Sequence, residues 1–78
     1  MDNSNITPED RIAMADAYRV YELLSLEEQQ DVPEDFINTL LYYGDFENAT
    51  QINSVEEALK EGRLSKKAMY LIMYMCTF

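Results

Sequence analysis

Ala68-Met69-Tyr70-Leu71-Ile72-Met73-Tyr74-Met75-Cys76, followed by Thr77 and Phe78, is an uncharged run and the most apolar part of the chain. In so short a protein such a run is the centre of the core, a contact surface, or both. Its composition predicts a helix: Ala, Leu and Met are unbranched helix formers, and only Ile72 and Thr77 are β-branched. On a helical wheel Ala68, Met69, Ile72 and Cys76 fall on one face, while Tyr70 and Tyr74 lie on the other. Two apolar faces then need cover, so this helix is the expected centre of the fold.

Working outward, Ser65 caps that helix, and Lys66 and Lys67 occupy its start, the end where the helix dipole favours anions. Ser54-Val55-Glu56-Glu57 reads as a capping box opening a short helix over Ala58, Leu59 and Lys60, which Gly62 ends. Near the start of the chain, Thr7 as N-cap, Pro8 in the first turn, and Glu9 and Asp10 at the positive end predict a helix to about Leu24. Its inward face is Ala13, Ala17, Val20, Tyr21 and Leu24, flanked by Met14, with Asp16, Arg19 and Glu22 facing water. Ser25 and Glu28 form a second capping box over a short turn. Pro33 then restarts the chain as a helix over residues 33–43 with Phe36, Ile37, Leu40 and Leu41 as its apolar stripe, stopped by Gly44 in a left-handed turn. Residues 45–53 lack helical period and read as a loop anchored by Phe46 and Ile52. The expected fold is all-α: a small bundle of three to four helices around a central apolar C-terminal helix, one domain over residues 1–78 with residues 1–6 as a flexible leader.

A chain of 78 residues buries only about 60–65% of its unfolded surface, so self-association or a tight partner would add needed stability. The N-terminal residues lack the basic start and apolar run of a secretory signal, and the apolar run at the other end is about half of the ~20 residues a membrane span requires. A cytoplasmic protein without membrane contact is expected. The chain has no histidine and one cysteine, Cys76, which lacks a partner for an internal disulfide. The commonest general base and the usual zinc ligands are missing together, so a non-catalytic protein with no cofactor and no metal is expected. Residues 45–56 mimic the two ends of a calcium loop. Ala49 stands where a ligand is needed, however, and Thr50 where glycine makes the sharp turn.

The charges are unevenly spread. Up to Leu59 there are fourteen acids against two arginines; from Lys60 onward, four cations against Glu61. Eight acids fall in first helical turns, where they stabilise the helix, and this alone explains much of the net charge of −9. The sharper reading is that Glu27, Glu28, Asp31, Glu34 and Asp35 form an anionic ridge, with Asp45 and Glu47 as extensions, since carboxylates three and four apart on a helix act as one surface. Such a ridge suits a groove built for phosphates, while the same field repels nucleic acid itself. Lys66 and Lys67 either pair with acids of other helices or form a cation–aromatic stripe with Tyr70 and Tyr74.

Tyr21-Glu22-Leu23-Leu24, Val32-Pro33-Glu34-Asp35-Phe36 and Leu64-Ser65-Lys66-Lys67 resemble segments of short helical proteins of unknown function from Gram-positive bacteria and their mobile elements. In size and acidity the chain is similar in general type to phage-encoded inhibitors of host defence, including anti-CRISPR proteins. The resemblance implies no catalytic residues. The anionic ridge leads to the main expectation, a non-catalytic inhibitor or regulator whose Glu27, Glu28, Asp31, Glu34 and Asp35 occupy a basic surface of a nucleic-acid-binding protein. The alternative is an adaptor or structural protein that self-associates as a homodimer, or docks, through Tyr70, Met73, Tyr74 and Phe78.

Overall fold

Four of the five helices among the described residues begin where a hydroxyl side chain catches a free backbone N–H. The computed structural model describes residues 6–76, Cys76 by its backbone alone; the expected leader, apart from Ile6, lies outside the described residues, as do Thr77 and Phe78. Among the described residues every regular element is helical: α1 Pro8–Leu23, α2 Leu26–Gln30, α3 Glu34–Tyr43, α4 Val55–Glu61 and α5 Lys66–Cys76. At α1, Thr7 Oγ1 accepts the Asp10 N–H (3.1 Å) and the Asp10 carboxylate accepts the Thr7 N–H (3.0 Å). Ser25 and Glu28 make the same reciprocal pair at α2. At α4 only half of the expected box forms: Ser54 Oγ accepts the Glu57 N–H. Ser65 Oγ accepts the Ala68 N–H at α5. The short turn after Ser25 thus closes as a helix of its own, which raises the count above the three to four expected.

The two glycines work differently. Gly62 sits at φ 68°, the left-handed conformation, and ends α4 in a Schellman pattern, with Arg63 N–H on Ala58 O (2.9 Å) and Gly62 N–H on Leu59 O (3.2 Å). The sequence predicts a left-handed Gly44 as well, but its φ is −67° with extended ψ. It is small for a different reason: a Cβ there would lie 2.6 Å from Leu40 O and 2.9 Å from the Phe46 ring. Gly62→Ala meets no atom and is expected to cost about 1 kcal/mol from backbone strain alone. Gly44→Ala forces the loop off α3 and should cost more, and urea unfolding of both variants should return them in that order.

α1 is the element that the other long helices share, since it packs against both α5 and α3. Asp10 and Lys67 meet at the starts of α1 and α5, and Met14 and Leu71 line one hollow about a turn later, so these two helices run side by side in the same direction. α3 runs opposite. Just beyond its end, Asp45 N–H reaches Arg11 O (3.0 Å) near the start of α1, while Phe36 in its first turn stacks on Tyr74 near the end of α5 (5.1 Å between centroids). The core gathers Ala13, Ala17 and Val20 of α1, Ile37 and Leu40 of α3, Ala58 of α4, Ala68 and Met75 of α5, and Val32, Ile52 and Leu64 between helices.

Four expectations need correction. α5 packs on α1 by one side, so the shared helix is α1 and not the C-terminal one. The buried side of α5 is Ala68, Leu71, Ile72 and Met75; Met69 is exposed, a rotation of roughly 60° from the wheel reading at about 100° per residue. Asp16 does not face water but is buried. Of the loop anchors, Ile52 is buried, whereas Phe46 stays exposed and only leans edge-on against Tyr18 (5.7 Å).

Candidate interaction surfaces

Between Arg19 and Lys60 the chain carries no basic residue, and ten carboxylates lie in that interval. Five of them are concentrated at the corner where α2 gives way to α3. Glu27 and Glu28 occupy the first turn of α2, Asp31 is its C-cap, and Glu34 and Asp35 open α3; all five are exposed. The ion pairs among the described residues are Arg19–Glu22 (3.5 Å), Arg63–Glu61 (2.7 Å) and Lys67–Asp10 (2.7 Å), so the corner carboxylates have no cation partner there. Glu28 is partly committed to Ser25, accepting its N–H and its hydroxyl. The proposed extension is weaker. Asp45 spends both carboxylate oxygens on Asn48, a local turn that holds its carboxyl below the ordinary range, the Asn48 side-chain bond being the largest cause. Glu47 is exposed.

The second surface is the outer side of α5. Met69, Tyr70, Met73 and Tyr74 are exposed there, and Phe78 lies outside the described residues. Lys66, Met69, Tyr70 and Met73 line a shallow groove of about 280 Å³. Met69 and Met73 also border a smaller hollow with Val55 and Leu59, so the apolar surface runs on from α5 to α4. Of the two lysines at the start of α5, Lys67 has left the helix axis for Asp10 of α1: the hydrogen bond lowers the Asp10 carboxyl and raises the Lys67 ammonium from their usual values. Lys66 remains exposed at the groove.

The third feature is Asp16, whose place on the helical wheel predicts exposure. Asp16 is 1% exposed and accepts the Thr50 N–H at 2.7 Å, pinning the loop before α4 to the middle of α1. Burial raises its carboxyl above the ordinary value, against the hydrogen bonds from Thr50. The signal was available: Ala13, Ala15 and Ala17 surround Asp16 on α1 and all three are buried, so backbone can approach the helix from more than one side. Small residues around a lone acid mark it as enclosed.

No protein-family model, curated protein or solved structure matches the chain. Among the described residues no helix is long and apolar enough to cross a membrane.

Proposed function

We propose that this chain is a non-catalytic interaction protein, an inhibitor or regulator that sets the α2–α3 corner into a basic surface of a nucleic-acid-handling protein, in the manner of phage or mobile-element inhibitors such as anti-CRISPR proteins. The observation that carries this reading is the set of five exposed carboxylates at one corner, none with a cation partner among the described residues, in a forty-residue interval without a basic side chain. Left unneutralised, they project a field that accelerates encounter with a cationic groove and weakens as salt rises. The test is the triple reversal Glu27→Lys, Asp31→Lys, Asp35→Lys, which spares the Ser25–Glu28 cap. Helicity should be retained, and binding to partners captured from the host should fall by about 100-fold at low salt, mainly through the association rate. Captured proteins should be nucleic-acid binders that DNA displaces; partners that bind the triple variant as well as the original chain would refute the reading.

The exposed apolar side of α5 favours a second reading, an adaptor that docks through Tyr70, Met73 and Tyr74. Binding of that kind survives high salt and is lost on Met73→Glu.

A further inference from the structure

We propose that the occupant of the exposed α5 face is a second copy of this chain, the two α5 helices packing antiparallel about a two-fold axis. This rests on the second reading above and names what covers the face; it does not depend on the acidic corner. Leu59, Met69, Tyr70, Met73 and Tyr74 are 48%, 40%, 72%, 62% and 56% exposed. For side chains of this size that amounts to roughly 600 Å² on each copy, so a pair that covered all of it would hide about 1,200 Å², the lower edge of specific interfaces. A patch of this extent is at the upper end of what lone soluble chains leave open.

Charge decides the orientation. Lys66 stands at the positive end of α5, where it opposes the helix dipole, and it borders the groove with Met69, Tyr70 and Met73. Tyr70 lies midway between Lys66 and Tyr74 along the helix. With Tyr70 beside the axis, an antiparallel pair brings each Lys66 to the other copy's last helical turn, where the carbonyls carry the negative end of the dipole; the Tyr74 ring there stays stacked on Phe36 of its own copy. A parallel pair sets the two ammonium groups against each other and gains nothing. The antiparallel contact is self-complementary and closes at two copies.

Sedimentation velocity of the full chain, from low micromolar to submillimolar and at low and high salt, should show a monomer–dimer equilibrium that salt does not abolish. Met73→Glu and Tyr70→Glu should each raise the dimer dissociation constant about 30-fold or more with unchanged circular dichroism. In a Cys76→Ala background, Tyr70→Cys should oxidise to a linked dimer faster than Lys66→Cys. A chain that stays monomeric at every concentration, or a dimer indifferent to both glutamate substitutions, overturns the proposal. Faster linking through Lys66→Cys overturns the antiparallel arrangement. Partner capture by Met73→Glu separates the two levels: a monomeric chain that loses a host partner on this substitution refutes the second copy as occupant while keeping α5 as a docking element.

Discussion

Asp16→Ala is expected to lower the unfolding free energy by about 2–3 kcal/mol, a fall of roughly 10–20 °C in Tm for a domain of this size. The substitution leaves the Thr50 N–H without its acceptor and empties a site that is 1% exposed. Against a total stability of about 4–12 kcal/mol, such a loss takes a large share. Asp16→Asn separates the hydrogen bond from the charge, because its amide oxygen still accepts the Thr50 N–H. It should keep stability within about 1 kcal/mol at neutral pH, since the amide avoids burying an ionised group.

The pH dependence carries the sign that identifies Asp16. Its carboxyl is raised by burial, so at a pH between the unfolded and the folded value the folded chain holds a proton that the unfolded chain has already released. The contribution is therefore full below the ordinary value of 3.8 and is lost as pH climbs through the raised folded-state value. Asp10 and Asp45, both lowered, act the other way: theirs is present above 3.8 and lost as pH falls through the lowered folded values. Urea midpoints taken across the acid range should show a falling limb above 3.8 in the parent that disappears in Asp16→Asn, with the acid limb unchanged. A parent and variant with parallel profiles would show that Asp16 titrates as an ordinary surface acid and that the loop is held by something else.

Helix ends were legible because they depend on neighbours in sequence. Thr7, Ser25, Ser54 and Ser65 cap where their spacing to the next free N–H allows, and Gly62 takes the left-handed turn. What depends on distant chain was not legible. Gly44 looked like a left-handed stop, and only the Leu40 carbonyl and Phe46 ring around it reveal that its constraint is space. The α5 wheel failed for a related reason. After Lys67 every residue through Cys76 lacks charge, so no polar side orients the helix, and the choice between Met69 and Met75 is made by what α1 and α3 offer. The acidic corner was readable as composition, since the five residues are close in sequence and exposed. The apolar surface was readable as residue types and not as a shape, because its continuation to Val55 and Leu59 comes from a loop return that periodicity does not encode.

Ala68→Leu should be the most damaging single change to the face that α5 presents. Ala68 is fully buried in the cluster that holds Ala13 and Ala17 of α1, and the parallel run of α1 and α5 relies on small side chains where the two helices meet. Three added carbons have no room, so the helices must separate or α5 must rotate, at a cost of about 3 kcal/mol. Ala68→Gly is the control: it adds no volume and should cost about 1 kcal/mol through helix propensity. The two variants also differ in the surface they show. If α5 turns to relieve the crowding, Met69 and Met73 move relative to Leu59, and the Phe36–Tyr74 stack at the far end, 5.1 Å between centroids, opens. Ala68→Leu should therefore lose both melting temperature and self-association, with a changed near-ultraviolet tyrosine signal. Ala68→Gly should melt earlier yet still associate at temperatures where it is folded. Equal association by both variants would mean that the contact between copies does not require α5 in this setting.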